Sequence, residues 1–327
     1  MNKEFKVDEN STLVEYRGTK RSFEILRGGD VISRITTWYR DNVTQVTVPG
    51  NIVKHIGFKA FKGCVDVREI TLEEGVQSVE LGAFWDTNLE ELWMPHSMRC
   101  FSADSLPIKD KKVTLHVNYS RGAWNALKRA GFVLRKIPKN LWESYSGLFI
   151  ALKMSYKRLV NLTLHVRKAE DIADREFLGM PIDCIVTFHD DIRAKYLFQR
   201  SMPSTVIIEK GVSHIVDDAF ISGGEVFFED TNIERIDVAP ENPYFYSKEG
   251  VLFDRNRHAL RRFPQGKILP DNKYILPADT QEVVAGAFDG AYTIETLVIP
   301  EGVVLLENAL ANTPKLDAIW KEQRMEA

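Results

Sequence analysis

The chain has 327 residues, of which 44% are hydrophobic and 27% charged, and its formal net charge is −3. This composition excludes an intrinsically disordered chain, which would carry fewer apolar residues and a larger net charge. The longest apolar runs fall well short of the roughly 18 residues that a membrane-spanning helix needs, so we expect no contact with a membrane interior.

The cysteines and the first residues of the chain bear on its compartment. The three cysteines, Cys64, Cys100 and Cys184, form no C-x-x-C pair, and their odd number argues against a disulfide framework. The first ten residues lack the apolar run of a signal peptide. We therefore expect a cytoplasmic protein with reduced thiols.

A short motif recurs along the chain every 22 to 24 residues. It consists of a strand with alternating apolar residues, a Gly-Val step, a further apolar residue and an Ala-Phe pair. In the first half its strands fall at Val46/Val48, Ile70/Leu72 and Leu92/Met94, with Ala-Phe pairs at Ala60-Phe61 and Ala83-Phe84. A period of this length indicates a solenoid, in which each coil buries its apolar face against its neighbours.

Elements of a different kind follow the clear repeats. Val113 to Val117 alternates like a strand, and Ser120 is a typical N-cap for a short helix from Arg121 to Ala130. Residues 139–160 lack the motif, and apolar residues at helical spacing there predict an amphipathic connecting helix. We therefore expect an N-terminal repeat block over 1–138, a helical connector over 139–160 and a C-terminal repeat block over 161–327.

The motif returns in the second half of the chain. Val206 to Ile208 leads to Ile215 and Ala219-Phe220, and the last copies end at Ala287-Phe288 and at Leu306 and Ala309-Leu310. Residues 239–264 form a larger insert, in which Val251-Leu252-Phe253 and Leu260 to Phe263 predict a β-hairpin.

The motif resembles the BspA-like class of leucine-rich repeats. Phe58-Lys59-Ala60-Phe61-Lys62-Gly63-Cys64 and Ile299-Pro300-Glu301-Gly302-Val303 carry the resemblance, and Pro240 to Phe253 is similar to the Asn-Pro, Gly-Val-Leu insert of that family. The resemblance covers residues 12–137 and 164–320. It implies a β-rich solenoid with short parallel strands, and binding rather than catalysis. Its members are often bacterial surface adhesins.

Charge is distributed unevenly along the chain. From Arg99 to Lys168 there are fifteen Lys and Arg against three carboxylates, a net charge of +12 that leaves −15 for the rest. Trp and Tyr residues are interleaved with these cations. Such a segment can meet an acidic protein surface, hold a nucleic-acid backbone, or simply be a solvated face. The candidate contact residues are Lys111, Lys112, Arg121, Lys128, Arg129, Arg135, Lys136, Lys153, Lys157 and Arg158.

The motifs of common catalytic and nucleotide-binding sites do not occur in the sequence. His116 and His165 sit in mid-strand and alternate with apolar residues, which predicts exposed positions. His189-Asp190-Asp191 is typical of a turn rather than of a metal site. Cys184 is expected to be a buried apolar thiol. We therefore expect no enzyme activity, cofactor, metal or small-molecule substrate.

These observations favour a non-enzymatic protein–protein interaction module. Its contact surface is expected to be the strand face of the solenoid together with the basic middle segment, and its partner a protein with an acidic surface. Two alternatives stay open: binding of nucleic acid or a nucleoprotein complex through the same cations, and a bacterial surface adhesin whose leader is absent from this sequence.

Overall fold

A computed structural model describes residues 43–51, 53–107, 112–130, 160–174, 177, 184–198, 203–221 and 233–320, and the backbone of four short strands nearer the N terminus. The chain divides into two compact units, Met1–His165 and Val166–Ala327. The predicted connector over 139–160 lies outside the described residues except for Val160. The three predicted blocks therefore stay predictions.

The first unit consists of short strands in two parallel sheets, with a separate antiparallel pair, β1 and β2. The large sheet has the order β3-β5-β7-β9-β11-β12, and the small sheet has the order β4-β6-β8-β10. The elements are β1 Phe5–Val7, β2 Leu13–Tyr16, β3 Ser22–Glu24, β4 Val31–Ile32, β5 Gln45–Val48, β6 His55–Ile56, β7 Glu69–Leu72, β8 Ser78–Val79, β9 Glu91–Met94, β10 Cys100–Phe101, β11 Val113–Asn118, α1 Arg121–Ala130 and β12 Val160–Val166.

Four successive coils, from β3 to β10, each contribute one strand to the large sheet and one to the small sheet, which is the arrangement of a β-solenoid. Equivalent apolar residues of successive coils lie side by side, as Val46 does with Ile70 and Ile70 with Leu92. All three are fully or almost fully buried. The predicted strand cores are confirmed, because alternation within each strand sends every second side chain into the shared interior.

The Ala-Phe pairs form a ladder inside the first unit. Phe61 and Phe84 are buried with ring centroids 5.7 Å apart, and the amide of Phe61 donates to the carbonyl of Ala83 at 2.7 Å. Gly75 lies in the turn between the two sheets with φ 112°, and a Cβ there would come within 2.1 Å of the carbonyl oxygen of Gly50. The turn glycine is thus required both by its backbone angle and by the close approach of the preceding coil.

Helix α1 begins where the sequence predicts. The hydroxyl of Ser120 accepts a hydrogen bond from the amide of Ala123 at 3.1 Å and donates to the carbonyl of His96 at 2.6 Å. The first bond caps the helix, and the second ties the cap to the preceding coil. Trp124 and Leu127 are buried, and α1 packs against β10 of the small sheet.

The second unit repeats this architecture with a larger insert. Parallel pairing links β13-β14-β15, β18-β20-β22 and β19-β21-β23, whereas β16, β17 and β18 are antiparallel neighbours. The strands are β13 Cys184–Phe188, β14 Pro203–Ile208, β15 Arg235–Val238, β16 Phe245–Lys248, β17 Val251–Asp254, β18 Ala259–Arg262, β19 Lys273–Ile275, β20 Glu282–Val283, β21 Thr296–Ile299, β22 Val304–Leu305 and β23 Asp317–Trp320. The predicted hairpin is confirmed by β17 and β18.

One predicted core residue of the second unit lies at the surface instead. Leu306 is 37% exposed. The residue that pairs with Val283 of the preceding coil is Leu305, which stands four residues before Ala309 just as Val283 stands four residues before Ala287. The spacing to the Ala-Phe position, rather than the spacing from the Gly-Val step, therefore sets which residue packs inward, and Leu305 is the one that lies against the core.

The cysteines behave as apolar residues or as surface thiols. Cys64 and Cys184 are buried and Cys100 is exposed, and none of the three forms a disulfide. Burial raises the pKa of the Cys184 thiol well above its ordinary value. The prediction of a buried apolar thiol at Cys184 is confirmed.

Candidate functional site

The outward side chains of the large sheet form ordered rows in the first unit. Register places Gln45, Glu69, Glu91 and Thr114 side by side in one row, and Thr47, Thr71, Trp93 and His116 in the next. Adjacent parallel strands lie about 4.8 Å apart, so neighbours within a row are close enough to interact. These eight residues are called the strand face below.

Trp93 is the centre of an aromatic cluster on the strand face. Its ring lies 3.9 Å from the ring of His116 at an interplanar angle of 8°, and 5.2 Å from the ring of His165 at 26°. The two imidazole centroids are only 5.5 Å apart, which is too short for rings on opposite faces of an indole. Both imidazoles therefore lie on the same side of Trp93, and the indole covers them.

The prediction that His116 and His165 are exposed is wrong. Both point away from the apolar core, as the alternation requires, but the side chain of His116 is 16% exposed and His165 is 8% exposed. The physical reason is the indole of Trp93, which lies across the two rings. The two histidines are also joined directly, because Nδ1 of His116 and Nε2 of His165 are 3.3 Å apart.

Two carboxylates lie beside this cluster. Glu69 and Glu91 are opposite each other on β7 and β9. The amide of Gln45 donates to Glu69 at 2.8 Å, and Oε2 of Glu91 is 3.8 Å from Nε2 of His116. Burial lowers the pKa of His116 below its ordinary value, and Glu91 and Glu69 oppose this shift. The lowered pKa favours the uncharged imidazole at neutral pH.

Four of the ten basic contact residues predicted from the sequence are described. Lys112 directly precedes β11 and is half-buried, while Arg121, Lys128 and Arg129 belong to α1. Because α1 packs against β10 of the small sheet, these three cations and the strand face belong to different sides of the unit. The remaining six residues lie outside the described part of the chain: Lys111, Arg135, Lys136, Lys153, Lys157 and Arg158.

Four basic residues on or beside α1 form a basic patch near the two ends of the helix. The guanidinium of Arg129 donates to the carbonyl of Arg99, and a Cβ on Gly122 would meet Nη1 of Arg99 at 2.0 Å. Nζ of Lys128 lies 5.3 Å from the centroid of the Trp124 ring. Arg99, Arg121, Lys128 and Arg129 are called the helix surface below. Sequence reasoning counted Arg99 in the basic segment but did not select it as a contact residue.

The other polar clusters of the described residues have structural partners. The carboxylate of Asp190 accepts from the amide of Ala169, and that of Asp191 from the amides of Ser213 and His214, so both bind neighbouring coils. Among the residues that the structure describes, no three His, Cys, Asp or Glu side chains converge as a metal site.

A polar cleft of about 520 Å³ opens in the second unit near β16 and β18. Arg261 crosses it, with its guanidinium 2.7 Å from the carbonyl of Ile215 and 2.9 Å from the carboxylate of Asp217. Lys195 and Asp218 form a second ion pair at 3.1 Å. The charged groups of this cleft satisfy one another, which favours a role in joining the insert to the preceding coil.

Sequence reasoning missed the most distinctive residues of the strand face. It predicted a contact surface on the strands without selecting Glu69, Glu91 or Trp93. The available signal was their parity: each alternates with a buried Leu or Ile of the motif and must therefore point outward. Their mutual proximity depends on the register between coils, which a period that varies from 22 to 24 residues does not fix.

Comparison with known families agrees with the repeat. Residues 34–118 match the model of the BspA type leucine rich repeat region, in six copies. No curated protein sequence matches the chain. In the part of the chain with a described backbone, no helix is long and apolar enough to cross a membrane.

Three solved structures are similar to this chain at low identity. A leucine-rich cell surface protein from Faecalibacterium prausnitzii is 14% identical, with 98% of this chain and 76% of that chain covered and a TM-score of 0.36. The pneumococcal vaccine antigen PcpA is 17% identical, with 94% of this chain and 65% of that chain covered and a TM-score of 0.34. A leucine-rich repeat protein from Eubacterium ventriosum is 18% identical, with 93% of this chain and 69% of that chain covered and a TM-score of 0.31.

Proposed function

Because the chain carries BspA-type leucine-rich repeats, we propose that it is a non-enzymatic scaffold for protein–protein interaction and that the strand face of the first unit contacts its partner. The observation that carries this proposal is the cluster that the strand register forms from Trp93 with Glu69, Glu91 and His116. Large aromatic residues are enriched where proteins bind each other, and a sheet of stacked coils holds them in fixed positions.

The helix surface is the second contact in this proposal. Arg99, Arg121, Lys128 and Arg129 form a basic patch on the small-sheet side, where an acidic protein surface would be attracted. The six basic residues outside the described part of the chain extend the same segment in sequence. The protein partner and its acidity remain part of the proposal, as does the cytoplasmic location expected from the sequence.

The test is capture of a partner by the immobilised chain, followed by mass spectrometry and quantification with three variants. Trp93→Ala disrupts the strand face. The combined change Lys112→Glu, Arg121→Glu, Lys128→Glu and Arg129→Glu reverses the described basic residues. A matched control reverses four exposed lysines of the second unit: Lys210, Lys248, Lys273 and Lys315.

We expect the first two variants to weaken capture and the control to leave it unchanged. Thermal unfolding of the charge variants should change little, because these side chains are at least partly exposed. A partner that is captured equally by wild type, Trp93→Ala and the basic-segment variant would contradict the proposal. Fractionation of the native cell separates a cytoplasmic scaffold from the surface adhesin that the sequence also allows.

A further inference from the structure

Two carboxylates of the strand face, Glu69 and Glu91, have no lysine or arginine partner among the residues that the structure describes. Glu69 is hydrogen-bonded by the neutral amide of Gln45, and Glu91 lies 3.8 Å from Nε2 of His116, whose pKa is lowered by burial. No Lys or Arg occurs at the outward positions of β5, β7, β9 or β11. Like charges directly opposite each other on adjacent strands destabilise a sheet. A bound cation would relieve this repulsion.

The Trp93 indole is partly exposed beside these carboxylates. Both imidazoles lie on the same side of the indole, and among the described residues no cation or further aromatic ring lies over its other side. Trp93 is two residues from Glu91 on the same strand, a separation of about 6.6 Å. An aromatic face with carboxylates at this distance can hold a planar cation by stacking and by charge-assisted hydrogen bonds.

We propose that the strand face binds an extended protein segment through an arginine side chain that stacks on Trp93 and pairs with Glu91, with Glu69 binding a second arginine. This inference rests on the proposed function. Arginine fits better than lysine, because the guanidinium is planar, stacks on indole and can bond both oxygens of one carboxylate. The partner segment is therefore basic here, whereas the helix surface selects acidic groups.

The register of the sheet also sets the form of the segment. Glu69 and Glu91 lie on neighbouring strands in one row, so a segment that crosses the strands meets both in succession. In an extended segment, alternate side chains point to the same side and are about 6.6 Å apart. Arginines at alternate positions can then reach the two carboxylates and the indole together.

The inference is tested with fluorescent octapeptides of alternating arginine and serine, and with isosteric peptides in which citrulline replaces arginine. Fluorescence anisotropy at low salt measures their affinity for wild type, for Glu69→Gln/Glu91→Gln and for Trp93→Ala. Glu73→Gln/Glu80→Gln is the matched control, since it removes two exposed carboxylates of the same unit that lie outside the strand face. Circular dichroism verifies that each variant is folded.

We expect the arginine peptide to bind and the citrulline peptide to bind at least about tenfold more weakly, with a loss of about tenfold in the Glu69/Glu91 variant. The control should bind like wild type. Equal losses in both double variants would mean general attraction to an acidic chain and would overturn the inference. So would failure of the arginine peptide to bind, or unchanged binding by Trp93→Ala.

Two further outcomes separate this inference from the proposed function. If the arginine peptide fails to bind but capture of the cellular partner still depends on Trp93, the scaffold function stands and arginine recognition is wrong. If analytical ultracentrifugation shows self-association that Glu69→Gln/Glu91→Gln abolishes, the occupant of the strand face is a second copy of the chain, and the inference is overturned.

Discussion

Substitution of Asn242 tests how the insert of the second unit is attached to the preceding coil. Its side chain is 1% exposed and makes four hydrogen bonds. The amide group donates to the carbonyls of Glu209 and Val212, both at 2.9 Å. The amide oxygen accepts from the backbone N–H groups of Tyr244 and Phe245, both at 2.8 Å. Asn242 thus uses its full hydrogen-bonding capacity.

The cost of Asn242→Ala follows from which groups lose their partner. The carbonyl of Glu209 still accepts from the amide of Val212, and Tyr244 is 43% exposed, so its amide can bond water. The carbonyl of Val212 and the amide of Phe245 belong to buried residues. Leaving two buried polar groups without partners at about 1–3 kcal/mol each predicts a loss of about 4 kcal/mol.

Urea unfolding and hydrogen exchange measured by mass spectrometry report this loss. A change of about 4 kcal/mol corresponds to roughly a thousandfold faster exchange of the Phe245 amide, if exchange follows local opening. Asn256→Ala is the control, because Asn256 is exposed, and we expect a change within about 0.5 kcal/mol.

Asn242→Asp isolates the donating half of the interaction. It keeps the acceptor for Tyr244 and Phe245 but turns a carboxylate oxygen toward the carbonyls of Glu209 and Val212, so we expect destabilisation at neutral pH. The pKa of the new carboxyl should be raised in the folded state, and stability should recover as the pH falls through that value. Wild-type stability of Asn242→Asp at pH 7, or a loss below about 1 kcal/mol for Asn242→Ala, would refute the reasoning.

Three other predictions concern buried or titrating groups. Arg262 is buried, its burial lowers its pKa to about 10, and its guanidinium donates to two backbone carbonyls. Arg262→Ala should therefore lower the free energy of unfolding in urea by about 2–4 kcal/mol. Loss of the exposed ion pair of Arg257 should lower it by under about 1 kcal/mol, and equal losses for the two would contradict this prediction. Because the pKa of His116 is lowered, its contribution to stability is fully present above the unfolded-state pKa of about 6.5 and is lost as the pH falls through the folded-state pKa. His116→Asn should therefore reduce the dependence of the free energy of urea unfolding on pH between about pH 5 and 7. An unchanged dependence would count against this prediction. Cys100 should react with a thiol reagent in the native protein, while Cys184, which is buried with a raised pKa, should react only after unfolding; immediate reaction of Cys184 would show that its surroundings open readily.

Local sequence determined most of the fold of the described residues. The alternation in Gln45–Val48 and Glu69–Leu72, the Ala-Phe pairs and the turn glycines were enough to predict coils. The reason is that every coil in a solenoid solves the same packing problem, so the same residues recur at the same positions. The hairpin of β17 and β18 and the helix after Ser120 were likewise predictable, because their hydrogen bonds or capping groups are near in sequence.

The tertiary structure decided what surrounds each polar side chain. Trp93, His116 and His165 are separated by 23 and 49 residues, and only the register between coils brings their rings together. Asn242 reaches carbonyls 30 and 33 residues away, and Arg262 reaches carbonyls 24 and 27 residues away. Alternation along a strand determines which way a side chain points. The groups that the side chain contacts belong to neighbouring coils, whose loops differ in length. For that reason the sequence alone identified the repeat and the basic segment, while the acidic, tryptophan-centred strand face was established only when the coils were placed side by side.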